Sequence, residues 1–155
     1  MLGRKQARES IYQLIHEFLF LKKRNDVSLS IFLSADLTQE NKDYISQLYL
    51  GVVEKYDSLI ECLTPYLNNF SIERLFKSDL AACLLAIYEI MYMPDTPVAV
   101  IISEALQLVN TFSTEKSKPF INGVLSSIYK AMCLDNDDNN LKLADSTSCP
   151  QSDPL

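Results

Sequence analysis

The sequence predicts an all-α protein, a compact bundle of about six to seven helices. Only three of its 155 residues are glycines, and apolar residues recur at i, i+3 and i+4 along most of the chain. No segment of any length alternates apolar and polar residues, as a half-buried strand does. Because a chain of this length can bury a sizeable core, we expect one helical domain over residues 1–134.

The first half of the chain carries two long helical patterns separated by a short one. The first pattern runs from Arg4 to Lys23 and contains an apolar stripe. Residues 25–37 form a connection in which we expect "VSLSIFLS" to pack as a short helix. Thr38 then offers an N-cap for a second long helix, which Pro65 ends or kinks because proline lacks the helical N–H donor.

The second half centres on residues 79–92, "DLAACLLAIYEIMY", which are apolar on nearly all sides. A helix without a polar face is normally surrounded by other helices, so we expect this one at the hub of the bundle. Ser71 and Ser78 are placed to cap the segments that follow them. A further helix is expected over residues 98–112, and a last one that begins at Pro119.

The dipeptide Asn122-Gly123 is a hairpin signal in isolation, but it lies in a helical pattern. Apolar residues repeat around it at helical spacing: Phe120, Val124, Leu125, Ile128 and Met132. Glycine costs about 1 kcal/mol relative to alanine inside a helix, so we expect Gly123 at a notch where another backbone comes close. Asn122 is a candidate for hydrogen bonding to a neighbouring segment or a ligand.

The formal net charge of −6 is unevenly distributed. Residues 1–24 contain six basic and two acidic residues, whereas residues 135–155 contain one lysine and five aspartates. A basic patch on an otherwise acidic protein favours local, oriented binding of a polyanion and excludes a uniformly basic nucleic-acid coat. Residues 135–155 are too polar to offset their ordering entropy, so we expect an acidic disordered tail there.

Composition and motifs exclude several classes of protein. The chain has no apolar run long enough to span a membrane and no signal-peptide core, so we expect no membrane partner and a cytoplasmic location. The cysteines lack metal-site spacing, which favours buried free thiols over zinc ligands or disulfides: Cys62, Cys83, Cys133 and Cys149. With one histidine, no G-x-S-x-G elbow and no phosphate-binding glycine loop, we expect no enzyme, cofactor, metal or small-molecule substrate.

Five segments, in the right order, resemble one protein family. "KPFINGVLSSI" is similar to the [KR]-F-[VI]-N-G-[VI]-L pattern of the NusB family of bacterial transcription antitermination factors. "RKQARESIYQL" resembles the family's R-x-x-A-R-E helix, and "DLAACLLAIYEI" resembles its L-x-x-x-YE helix. "GVVEKYDSLIECLTPYL" and "PVAVIISEALQLVNTFSTEKS" resemble its second long helix and its P-x-x-V-x-I-x-E-A helix. Together the resemblance spans residues 3–132.

The resemblance implies a NusB-like helical protein that binds RNA without catalysis. Family members pair with a small-subunit ribosomal protein, the antitermination factor NusE, and the pair binds the boxA element of nascent RNA. RNA polymerase that carries this complex reads through terminators, chiefly on ribosomal RNA operons. The RNA-binding residues implied are Arg4, Lys5, Arg8, His16, Lys116, Lys118, Phe120 and Asn122, and the partner-binding residues implied include Glu73 and Asp79.

The chemistry of these residues is compatible with RNA binding. We expect Arg4 and Arg8, which are i, i+4 neighbours, to project from one helix face and to donate with Lys5 to phosphates. Phe120 beside Lys118 offers a platform for an unstacked base. On the residues alone, a solvated helix end and a core phenylalanine are the alternative interpretation.

The chain departs from the family pattern at three positions. His16 stands where a stacking tyrosine is frequent, the family's frequent arginine is missing near Leu84, and Ser103 stands where asparagine is usual. These departures and the net negative charge leave an alternative open, a NusB-like interaction module that keeps its protein partner and has lost RNA binding. Where RNA binding is kept, we expect a modest affinity for RNA alone and a protein partner that supplies part of the RNA-binding surface.

Overall fold

The computed structural model describes residues 1–68 and 70–142, with side chains described as far as residue 133. These residues form seven α-helices, two short 3₁₀ turns and a single β-bridge between Leu2 and Leu37. The helices are α1 (Arg4–Leu21), α2 (Asp26–Leu33), α3 (Gln39–Glu54), α4 (Tyr56–Leu63), α5 (Lys77–Tyr92), α6 (Val98–Phe112) and α7 (Ser117–Lys142). The 3₁₀ turns Thr64–Tyr66 and Ile72–Arg74 connect α4 to α5. The predicted all-α bundle of six to seven helices is confirmed.

Local capping chemistry sets two of the helix starts. The side chain of Asn25 accepts two backbone N–H groups at the start of α2, each at 3.1 Å. The Oγ1 atom of Thr38 accepts the N–H of Asn41 at 3.1 Å, so the N-cap predicted for α3 is confirmed. Each cap satisfies donors that the first helical turn leaves unpaired.

Helix α5 is the hub of the bundle, as predicted. Every residue from Asp79 to Ile90 is buried. The helix packs against α1, α3, α4, α6 and α7. Because residues 79–90 have no solvent face, the charged side chains of Asp79 and Glu89 must find internal partners.

Three helix boundaries differ from those predicted. The second long helix is interrupted at Lys55, which separates α3 from α4 with a φ of −97° and a ψ of 14°. Ser78 lies inside α5, whose N-cap is Phe76, and α7 begins at Ser117, ahead of Pro119. The interruption at Lys55 has no proline or glycine to mark it, so the apolar period runs through it unchanged.

Helix α7 continues to Lys142, past the domain boundary predicted at residue 134. The remainder of the predicted tail, residues 143–155, lies outside the described residues, so its disorder stays a prediction.

The two helical glycines have opposite surroundings. A Cβ atom built on Gly123 would meet no heavy atom within 4 Å, so the notch expected at this position is wrong and the helix face is open there. A Cβ atom built on Gly51 would instead overlap the ring of Tyr88. The close approach that glycine permits therefore occurs between α3 and α5.

The cysteines follow the expectation in part. Cys62 and Cys83 carry free thiols, and burial followed by the charge of Asp79 raises the pKa of the Cys83 thiol to about 12. Cys133 is disulfide-bonded, so the expected free thiol is wrong at that position. Cys149 lies outside the described residues.

In the described part of the chain, no helix combines the length and apolar character that a membrane span requires.

Candidate nucleic-acid interface

Arg8 lies at the centre of a buried polar network. Its side chain donates through Nη1 to Oε1 of Glu89, and the two residues are 6% and 1% exposed. Tyr44 donates from its hydroxyl to the other carboxylate oxygen of Glu89 at 3.1 Å. The Arg8 Nε atom lies 3.8 Å from Oε2 of Glu104 at the outer edge of the network. The network joins α1, α3, α5 and α6.

The electrostatics keep this network charged. Burial by itself lowers the pKa of Arg8, but the charge of Glu89, with smaller contributions from Tyr44 and Glu104, raises it above its ordinary value. Burial and the Glu89 charge also raise the pKa of Tyr44, which stays a neutral hydrogen-bond donor. The expectation that Arg4 and Arg8 project together from an exposed face is therefore wrong, because the Arg8 guanidinium turns inward. A contact of Arg8 with RNA stays a prediction.

Arg4 lies at the solvent rim of the same network. Its guanidinium carbon is 3.8 Å from the centroid of the Tyr44 ring, and its Nη2 is 3.3 Å from Oε1 of Glu40. The side chain is 44% exposed. An exposed ion pair of this kind contributes little and exchanges easily, so Arg4 is able to reach a phosphate.

A groove of about 410 Å³ opens between α1 and α6 at the start of α7. Lys5 from α1 and Lys118 from α7 line it, although they are more than 100 residues apart in the sequence. In the described residues neither lysine makes an ion pair. The structure therefore brings together two of the predicted RNA-binding cations, with Arg8 beside them.

Helix α6 supplies groove residues that the sequence reasoning missed. Its polar residues in the groove are Ser103, Glu104, Gln107, Asn110 and Thr111. The opposite face of α6 packs into the core through Ile101, Ile102, Ala105, Leu108 and Val109. The signal available in the sequence was the spacing of the polar residues, which recur at i, i+4 and i+7 opposite the apolar stripe.

A second groove of about 310 Å³ continues the first along α1. It is lined by Arg4 and Tyr44, and it shares Lys5, Arg8 and Glu104 with the larger groove. Arg4 and Lys5 thus belong to one extended surface.

Lys116 and Asn122 are close in sequence to Lys118, which lines the larger groove. Lys116 is exposed in the turn before α7. Asn122 follows Lys118 by four residues, so both share a face of α7, and its Oδ1 atom accepts from the Ser126 hydroxyl at 3.5 Å. Its amide nitrogen is left without a hydrogen bond among the described residues.

Phe120 points away from the groove between α1 and α6. It is two residues beyond Lys118, which is more than half a turn around the helix. Its ring packs edge-on against Phe70, with ring centroids 5.9 Å apart, and it lines a separate groove of about 350 Å³ together with Gly123. A base stacked on Phe120 would therefore bind at a different place from one in the groove of Lys5.

His16 belongs to a row of aromatic side chains that we call the aromatic stripe. The stripe consists of Tyr12, His16 and Phe20 on α1 and Phe112 on α6. Ring centroids are 6.1 Å apart from Tyr12 to His16 and 5.1 Å from His16 to Phe20, and Phe112 stacks on Tyr12 at 5.1 Å.

The aromatic stripe is partly open to solvent and continues the line of the groove. Phe20 and Phe112 are 61% and 38% exposed. Partial burial, followed by the charge of Lys77, lowers the pKa of His16. Lys5, Tyr12 and His16 lie on one face of α1, so the stripe begins where the groove ends.

The two predicted partner-binding residues have opposite environments. Glu73 is exposed in the Ile72–Arg74 turn. Asp79 is 4% exposed and accepts from the hydroxyls of Ser113 at 2.6 Å and Ser117 at 2.7 Å. Asp79 thus links α5 by hydrogen bonds to both ends of the turn between α6 and α7. Its buried carboxylate is not accessible to a partner in this structure.

Comparison with known proteins identifies the family. The sequence profile described as the NusB family matches residues 1–130. The chain belongs to the NusB family. It is 37% identical over 127 residues to the transcription antitermination protein NusB of Listeria innocua, covering 82% of this chain and 96% of the relative. It is 32% identical over 132 residues to the NusB protein of Methylacidiphilum infernorum, covering 84% and 92%.

Solved NusB structures share the fold. The structure of T. maritima NusB superposes with a TM-score of 0.75 at 25% identity, covering 83% of this chain and 92% of that one. A structure of the antitermination factors NusB and NusE in complex with double-stranded RNA has a TM-score of 0.74 at 21% identity, covering 83% and 96%. Two of the segments that resemble family motifs, "RKQARE" and "YE", supply Arg8 and Glu89 of the buried network, so in this chain they serve packing.

Proposed function

We propose that this chain is a transcription antitermination factor. In this proposal it binds boxA-type RNA together with the ribosomal protein NusE and modifies RNA polymerase for read-through, chiefly of ribosomal RNA operons. Membership of the NusB family and the names of its relatives support the proposal. The solved complex of similar fold, which contains NusB, NusE and double-stranded RNA, supports both kinds of partner.

The observation that carries the RNA role is the convergence of cations around one groove. Lys5 and Lys118 line the groove, Arg4 lies beside it and Lys116 precedes the same end of α7. Cations that neutralise phosphates supply the sequence-independent part of affinity for RNA. Two lysines in the groove, with Arg4 in the adjoining groove and Lys116 in the turn before α7, suit a short single strand that is bound locally, while the rest of the acidic protein repels it.

The protein partner fits the aromatic stripe and the exposed turn beside it. Exposed aromatic side chains that lie together on a soluble domain mark an interaction surface. The nitrogen of Lys77 lies 5.2 Å from the Phe20 ring centroid, which places the start of α5 against the stripe. Glu73 and the 63% exposed Phe76 lie just before this point in the chain. We assign NusE to this surface, and Asp79 acts by fixing the helix junction behind it.

The action proposed is binding without a chemical step, in the cytoplasm. A factor that joins an RNA element to a protein partner works through the affinities of its surfaces, and no nucleophile or base is assigned a role in it.

One observation favours a second candidate, an interaction module that keeps the protein partner and has lost RNA binding. Arg8 is neutralised by Glu89 and Glu104, and Glu9 also lines the groove. The groove is therefore less basic than its sequence motif suggests, and the aromatic stripe is unaffected by this change.

Pairwise and ternary mixing of purified components distinguishes the two candidates. The full chain, its NusE partner and fluorescent boxA RNA are combined, and binding is measured by anisotropy and by analytical ultracentrifugation. An antitermination factor gives a ternary complex whose RNA affinity exceeds that of either protein alone. Binding to NusE without any gain in RNA affinity supports the interaction module, and failure to bind either component overturns both candidates.

A further inference from the structure

The wall of the groove formed by α6 has little charge. Of its five polar residues, Ser103, Gln107, Asn110 and Thr111 are uncharged and exposed. Among the described residues, none of these four makes a side-chain hydrogen bond. Two amides and two hydroxyls therefore present free donors and acceptors to whatever enters the groove.

The charges around this wall nearly cancel. Arg8 and Glu104 are paired with one another and Arg8 also with Glu89, so the charges free to act in the groove are those of Lys5, Lys118 and Glu9. A channel that only follows the RNA backbone would be strongly positive along its length. Here the cations lie on α1 and α7, and the uncharged amides lie on α6, the third helix that lines the groove.

We propose that Gln107 and Asn110 read an unstacked nucleobase of the RNA, while Lys5 and Lys118 hold the neighbouring phosphates. The proposal rests on the RNA-binding function proposed above and names the residues that give it sequence selectivity. A side-chain amide donates and accepts at once, so it forms two hydrogen bonds to a matching base edge and leaves polar atoms unpaired against other bases. Phosphate contacts fix position and carry no sequence information.

The size and exposure of the groove suit this role. Its volume of about 410 Å³ lies within the range of sites that hold small organic ligands. Single-stranded RNA is read by splaying bases out of the stack into such sites. The alternative is that Gln107 and Asn110 are the solvated face of an amphipathic helix, and this is the outcome against which the proposal is tested.

The test compares sequence selectivity with overall affinity. Gln107→Ala and Asn110→Ala are made in the full chain with its NusE partner, and binding is measured to boxA RNA and to a scrambled RNA of equal length and composition. Each variant is expected to lose affinity for boxA RNA by about tenfold and to bind scrambled RNA as the unaltered chain does. Lys5→Gln serves as the contrast, since it should weaken both RNAs equally.

Controls separate this inference from the proposed function. Gln13→Ala changes an exposed amide of α1 outside the described grooves and should leave both affinities unchanged. Circular dichroism establishes that each variant is folded. If the unaltered chain prefers boxA RNA and both amide variants keep that preference, the inference is overturned and the proposed function stands. If the unaltered chain binds neither RNA, both are overturned.

Discussion

Arg8 on α1 donates a hydrogen bond to Glu89 on α5, and both side chains are buried. The pair joins the first motif of the chain to the motif of its central helix. Tyr44 from α3 completes the carboxylate's hydrogen bonding, and Glu104 from α6 lies against the guanidinium. The sequence suggests Arg8 as a hydrogen-bond donor to RNA phosphates. In the structure its side chain instead links four helices.

Removal of the Arg8 charge should destabilise the protein strongly. Arg8→Met keeps much of the side-chain volume but leaves Glu89 buried without its cation, which costs about 3–5 kcal/mol. Urea unfolding measures this loss, and Arg4→Met is the matched control, expected to cost less than about 1 kcal/mol because Arg4 is exposed. Adding Glu89→Leu to Arg8→Met should restore part of the stability. Equal losses from the two arginine variants would contradict the assignment.

The two helical glycines should respond to alanine in opposite directions. Gly123→Ala is expected to raise the free energy of unfolding by up to about 1 kcal/mol, because the site is open and alanine favours a helix. Gly51→Ala should lower it by about 1–3 kcal/mol, because its methyl group overlaps the Tyr88 ring. Thermal and urea unfolding of both variants checks the contrast. A destabilised Gly123→Ala protein would restore the packing notch that the sequence suggested.

Asp79 and Glu73 should separate stability from partner binding. Asp79→Ala leaves the hydroxyls of Ser113 and Ser117 without their buried acceptor and should cost about 1–3 kcal/mol of unfolding free energy. Glu73→Ala alters an exposed side chain and should leave the unfolding curve unchanged while it weakens NusE binding. Calorimetric titration with NusE, next to urea unfolding, measures both. An Asp79 variant of full stability with lost partner binding would place that carboxylate at the interface.

His16 should make the protein slightly less stable in mild acid. Its folded-state pKa is lowered from 6.5 by burial and by Lys77, so the unfolded chain binds the proton more readily. The stability that neutral His16 contributes is fully present above the pKa of the unfolded chain. It is lost as the pH falls through 6.5 toward the lower pKa of the folded protein. The melting temperature of His16→Gln should therefore fall less than that of the unaltered chain between pH 7.5 and pH 5.5. If the melting temperatures of the two proteins fell equally across this pH range, His16 would have no such influence on stability.

Much of the fold was predictable because period and capping are local properties. The uniform apolar character of residues 79–92 placed α5 at the hub, and Thr38 marked the start of α3. The interruption at Lys55 was not predictable, because it contains no helix-breaking residue and the apolar period continues across it. The surroundings of Gly51 and Gly123 depend on which helices pack against each other, and the spacing of apolar residues in the sequence does not show this.

The candidate site was predictable in its residue types and less so in its geometry. Lys5 and Lys118 were identified from their motifs and line one groove. Arg8 was expected outside, and the sequence could not show that Glu89, 81 positions away, takes its guanidinium inward. The groove wall of α6 was missed because Gln107 and Asn110 look like an ordinary solvated face until α1 and α7 are placed beside them.

The salt dependence of boxA RNA binding by the complex with NusE tests the central claim most directly. If Arg4, Lys5, Lys116 and Lys118 each neutralise a phosphate, they should contribute about −3 to the slope of the logarithm of affinity against the logarithm of salt concentration, in addition to the contribution of NusE. Lys5→Gln combined with Lys118→Gln should make the slope of the complex less steep by about 1.5, whereas Lys130→Gln, an exposed lysine farther along α7, should leave it unchanged. A double variant that keeps the full slope would place the RNA elsewhere on the protein and contradict the groove.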